Sequence, residues 1–232
     1  MATTNADKKC CCSPWSSLWT RPRTTMRTIL DSDPRRKIHF LMILAGALGG
    51  LFMAFTQTAP EEKIFFGSLF VMLVGFALGG AIFNIIHTYV LALVIKWTGF
   101  WFGGKGSYMD VRSAVAWVNA PLIWLGILKL IEVILFNSVF PWTEIANGAT
   151  ANATPLVHLF AALNIALGIW IVVILVRVVA EAHKFSSWTA LAAVVVAVII
   201  LGIICMLISW TWAAFLCSNG SCHVPGLPNT IH

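Results

Sequence analysis

From residue 38 to residue 55 the chain carries no Asp, Glu, Lys or Arg. A run of that length is sufficient for an α-helix to cross the roughly 30 Å hydrocarbon core of a bilayer. Four more apolar runs follow, at 64–95, 114–136, 156–179 and 188–216. Within lipid a helix satisfies its own backbone hydrogen bonds, so such runs have few alternatives. With 59% hydrophobic and 10% charged residues, the chain could not cover its apolar surface in water. The expected fold is an all-α integral membrane protein, with five transmembrane helices bundled over 38–216. A basic segment, 1–37, precedes the bundle and a polar tail, 217–232, follows it.

The first 37 residues show no apolar core followed by a cleavage site, so the first run is expected to remain as an anchor. The polar stretches 56–62, 96–107 and 137–155 read as loops. Glycines and tryptophans in 96–107 suit a helix break at a membrane interface. The run 64–95 is longer than one span needs. It reads as one helix, kinked at Gly75, Gly79 and Gly80, with two short spans as the alternative.

Charge decides between them. Eight of the fifteen cations precede the first run, at Lys8, Lys9, Arg21, Arg23, Arg27, Arg35, Arg36 and Lys37. With five spans and a cytoplasmic N-terminus, Lys96, Lys105, Arg112, Arg177 and Lys184 fall on the same side, which gathers thirteen of the fifteen cations there. Six spans would place Lys96, Lys105 and Arg112 outside. The C-terminus is therefore expected outside. The net charge of +6 then reflects topology and anionic lipid headgroups at the N-terminal segment, not nucleic acid. Within that segment, Met26, Arg27, Ile29 and Leu30 suggest a short amphipathic helix over 24–31, lying on the inner leaflet. Pro22 and Pro34 would set its limits.

Catalytic signatures are missing from the chain. Gly103-Gly104-Lys105-Gly106-Ser107 lacks the spacing of a phosphate loop, and there is no His-Glu-x-x-His or Gly-x-Ser-x-Gly. His87, His158 and His183 come from different spans or span ends and do not make a metal set, and no cofactor is expected. Cys217 and Cys222, flanking Ser-Asn-Gly-Ser, are candidates for a disulfide if the tail is outside, with two free thiols as the alternative. Cys10-Cys11-Cys12 reads as part of a reduced tail, with acylation or metal binding as alternatives.

The informative polar residues lie inside the spans, where ionisable groups are costly. Lys129 and Glu132 are spaced i,i+3 and can neutralise each other, either as a structural pair or as part of a proton or ion step. Arg177 and Glu181, four apart at the end of the fourth span, suggest an interfacial pair. Pro121 should kink the third span, and Asn119 can satisfy the freed backbone or bond another helix. Asn84 and Asn164 are candidates for interhelical bonds. Gly75, Gly79 and Gly80, with Ala77 and Ala81, give the second span a small-residue packing face.

Four groups of residues carry a family resemblance. They are Trp19-Thr-Arg-Pro-Arg23 with 29–36; Trp97-Thr-Gly99 with 103–107 and Val111-Arg112; Ala116-Trp117 with Pro121; and 167–170 with Ala180-Glu181 and 185–191. In this order, over roughly 15–205, the chain resembles the bacterial branch of the Yip-domain family, the Ypt/Rab-interacting membrane proteins. The resemblance implies five spans, a cytosolic N-terminal side and, for the bacterial branch, the cytoplasmic membrane. Eukaryotic members are linked to small GTPases and vesicle traffic. No cytosolic domain here suggests that partnership, and bacterial members have no agreed activity.

Two functions follow as expectations. One is a non-enzymatic membrane protein that organises the bilayer, other membrane proteins or copies of itself. The other is a small transporter or channel whose path is lined by Asn119, Pro121, Lys129, Glu132 and His87. The threading has its own test. A C-terminal alkaline phosphatase fusion should be active and a C-terminal green fluorescent fusion dark; the opposite pair of results rejects five spans.

Overall fold

The computed structural model of the chain describes residues 14–33, 35, 37–57, 66–136 and 155–218. Every regular element among them is helical. Two short helices, α1 (Pro14–Thr20) and α2 (Pro22–Ser32), precede the bundle. The first span is α3 (Ile38–Gln57) and the second is α4 (Phe66–Trp101). The third is divided into α5 (Tyr108–Trp117) and α6 (Asn119–Phe136); α7 (Pro155–His183) and α8 (Ser187–Ser218) complete the set. Five of these segments are long and apolar enough to cross a membrane. The loop at 137–154, most of the turn at 56–62, Cys10, Cys11, Cys12 and Cys222 lie outside the described residues, and with Cys222 the question of its disulfide to Cys217.

The second span is one helix of 36 residues, about 54 Å long at 1.5 Å per residue. It outreaches the bilayer and does not stop at Lys96 as its sequence suggested. Gly99 stays helical because it is needed for close packing and not for a turn. The helix ends instead beyond Trp101, where Gly103 takes φ +80°. The third span starts at Tyr108, earlier than expected, because Ser107 and Asp110 form a reciprocal capping box.

Pro121 breaks the third span as expected, at Val118. Proline has no N–H to give the carbonyl four residues back, and its ring crowds that carbonyl. Val118 bonds instead to Val115 O at 3.2 Å, a tighter turn. Every residue from 113 to 121 is buried, so the break lies at the centre of the protein. There α5 contacts α2, α3, α4 and α7.

The tightest helix pair is α3 with α4. A Cβ placed on Gly46, Gly50 or Gly80 would run into backbone atoms of the facing helix. Such close approach is how helices associate in lipid, where the hydrophobic effect does not drive them together. The sequence placed Gly75 and Gly79 on this face as well. They turn away from it, with open space around them, and line a lateral groove with Gly49, Met53 and Phe76. Replacing Gly80 with Leu should therefore destabilise the bundle by about 1–3 kcal/mol, as overpacking does, while Gly79→Leu should be near neutral. Thermal unfolding in detergent distinguishes the two variants.

Candidate functional site

Among the described residues, three of the polar clusters that bind helices to one another hold the positions that stand out in the sequence. The first is near the break in the third span. Asn84 Nδ2 donates to Met42 O and to Asn119 Oδ1, each at 2.8 Å, and joins the first three spans. Asn119 Nδ2 donates to Ala116 O at 2.9 Å, satisfying a carbonyl in the last turn of α5. Asn119 thus makes the interhelical bond expected of it, but the carbonyl it satisfies is that of Ala116 and not that of Trp117, four residues before Pro121, which is buried beside it.

The second cluster is farther along α6. Glu132 is 2% exposed, pairs with Lys129 Nζ at 2.9 Å and accepts a hydrogen bond from Asn164 Nδ2 of α7. Asn164 Nδ2 also donates to Phe160 O at 2.8 Å. The Lys129 ammonium lies 6.0 Å from the Phe52 ring centre, which brings in the first span. A lone carboxylate here would be very costly; paired and hydrogen-bonded, it becomes a clasp between the third and fourth spans.

The third cluster differs from the reading of the sequence. Glu181 does not pair with Arg177, four residues before it. Its two oxygens take Arg23 Nε at 2.8 Å and Arg27 Nε at 2.7 Å, both from α2. Arg177 instead lies exposed, in a groove with Trp188 and Leu191. The i,i+4 rule identifies residues on one helix face, but Glu181 faces the core and α2 brings cations over it. Arg23 Nη2 also donates to Phe185 O at 3.2 Å. The carboxylate holds the Arg27 guanidinium above its already high ordinary pKa, through the hydrogen bond first and the charge second.

These bonds dock α2, which begins at Pro22 as expected. Its apolar residues Met26 and Ile29 are buried in the protein core together with Leu18. Their spacing signalled an amphipathic helix, but a spacing cannot say whether lipid or protein covers the face.

The sequence also gave no sign of the environment of His183. Its ring is 1% exposed and stacks on Phe185 at 5.0 Å. The Ile95 backbone comes near the ring, but neither ring nitrogen makes a well-formed hydrogen bond among the described residues. Gly99 and Gly104 form its walls, since a Cβ on either would strike the imidazole, and Gly106 is pressed against the adjacent Ala182 carbonyl. The glycines of 99–106 thus make a socket for this ring and not a phosphate loop. Lys105 N–H donates to His183 O at 3.2 Å and fixes the loop in place. His87 is brought to none of these clusters: it is exposed on α4, stacked on Phe83 at 6.1 Å.

Five apolar spans tied by intramembrane amides and a buried ion pair define a multi-pass α-helical membrane protein. A family profile described as the Yip1 domain matches residues 15–210, and the chain belongs to that family. No curated protein and no solved structure matches it.

Glu181→Gln removes the charge both arginines share. Hydrogen exchange of α2 amides should rise severalfold, with exchange in α6 unchanged. Equal protection in both proteins would mean that apolar contacts alone hold α2.

Proposed function

We propose that the protein is a non-enzymatic membrane scaffold that organises the bilayer or other membrane proteins, copies of itself included. One observation carries this reading: five polar residues inside the spans are engaged with other spans or with backbone. Asn84, Asn119, Lys129, Glu132 and Asn164 all serve helix–helix contacts. Residues that conduct a substrate need a wet path shared among them. His87, which such a path would include, is on the outer face of α4.

The surface is in keeping with this role. Of the most apolar stretch of α4 only 6% is buried, so the second span offers most of its perimeter to lipid or to a partner. In this reading the basic end faces the cytoplasm and meets anionic headgroups, and the membrane is the bacterial cytoplasmic one.

The competing reading is a small transporter or channel, and liposome flux separates the two. The reconstituted protein should pass protons and small ions no faster than empty vesicles, and Glu132→Gln should leave that baseline in place. Flux that Glu132→Gln abolishes would replace the scaffold with a transporter.

A further inference from the structure

At the basic end, between α2, the start of α5 and the end of α7, lies a polar cavity of about 520 Å³. Arg23, Arg27 and Lys184 line it together with Asp31, Asp110 and Glu181. Its cations and carboxylates are equal in number, so a simple anion would meet as much repulsion as attraction. The signs are not mixed at random, however. Arg23, Arg27 and Asp31 follow one another at i, i+4 and i+8 on one face of α2, so the row reads plus, plus, minus, with about 5.4 Å per turn.

Glu181 organises the positive side. Buried to 8% exposure, it holds both arginines by Nε; Arg23 Nη2 is taken by Phe185 O, so Arg23 Nη1 and the Nη groups of Arg27 are the donors these bonds leave over. On the negative side, Ser107 takes Oδ2 of Asp110, and its second oxygen is not used by that cap.

Lys184 supplies an independent observation. Helix α7 ends in a Schellman turn: Phe185 N–H bonds to Ala180 O at 3.1 Å and Lys184 N–H to Glu181 O at 3.2 Å. The residue between must be left-handed, and this is ordinarily glycine. Here it is Lys184 at φ +59°. Lys37 takes the same conformation, at φ +61°; what distinguishes Lys184 is that it lines the charged cavity.

We propose that this cavity binds a phosphoethanolamine headgroup, with the phosphodiester on Arg23, Arg27 and Lys184 and the primary ammonium on Asp31 and Asp110. The two-carbon linker between phosphate and ammonium matches the one-turn step from Arg27 to Asp31. Guanidinium groups suit phosphate oxygens geometrically, and a primary ammonium has three N–H donors for carboxylates. The cavity sits at the end of the membrane-spanning fourth helix, so a lipid of the adjoining leaflet is the source. The site rests on the membrane-organising reading above, which it deepens by naming a lipid.

The test uses the full-length chain, delipidated in detergent. It is offered equal amounts of phosphatidylethanolamine, phosphatidylcholine and phosphatidylglycerol with the same acyl chains, and native mass spectrometry reads the retained lipid. Phosphatidylethanolamine should be retained about tenfold over the other two, the equivalent of one good charge-assisted contact. Phosphatidylcholine lacks N–H donors, and phosphatidylglycerol lacks the cation. Asp31→Asn should erase the preference over phosphatidylcholine.

Lys184→Gly should weaken retention while raising the melting temperature by a shift on the order of 2 °C, because glycine relieves the left-handed strain. A folding defect cannot produce that combination. Equal retention of the three lipids, or undiminished retention by Lys184→Gly, would overturn the site and leave the flux result standing by itself. Excess glycerophosphoethanolamine should fail to displace the lipid; displacement would overturn the lipid as the source.

Discussion

Hydrocarbon offers no hydrogen-bond partners, and most of this structure follows from that. Each backbone amide inside the bilayer must be satisfied by the protein itself. Long unbroken helices do so at no further cost, and α4 is the extreme case. Among the described residues, the helix break before Pro121 lies in a fully buried stretch, and there an amide side chain takes the Ala116 carbonyl. Asn119 and Asn84 are therefore not incidental polar residues in an apolar span. They sit beside the break, where Asn119 takes the Ala116 carbonyl, and together they join three spans.

The ion pair of Lys129 and Glu132 obeys the same rule for charges. Neither group is solvated by lipid, so the carboxylate is neutralised by an ammonium one turn away and bonded by Asn164. Replacing such a group by an apolar residue of similar volume often costs little, whereas removing one partner leaves a stranded charge. The cluster thus constrains which helix faces meet more than it adds to stability. At the basic end, nearer to water, the two-arginine clamp on Glu181 has a looser role: it fastens a peripheral helix to the bundle.

Much of this was legible in the sequence, and the failures have physical causes. The spans were visible because charge-free runs have few other fates in lipid. Asn84, Asn119, Pro121, Lys129, Glu132 and Asn164 stood out because polar groups are rare there. Span ends were misplaced for two reasons: a local capping box, Ser107 with Asp110, went unread at the start of the third span, and elsewhere a local signal had a different explanation. Gly99 looked like a helix breaker and is a packing contact; Lys184 takes a left-handed position that composition assigns to glycine. The Arg177–Glu181 pairing failed because neighbours on one helix compete with cations more than 150 residues away. The His183 socket could be glimpsed only in the spacing of Gly99, Gly104 and Gly106, which has no meaning until the facing ring is known.

Apolar helices in a membrane present one another with nearly uniform surfaces, and little in such a surface prevents one from sliding along the next. The His183 ring, seated between Gly99 and Gly104 of another span and its loop, acts against that freedom as a peg does in a rail. Its walls are backbone and cannot turn aside as side chains do. An axial slip of even one residue would drive the ring into a helix turn. The peg fixes the end of the fourth span against the end of the second, two spans that otherwise hardly touch.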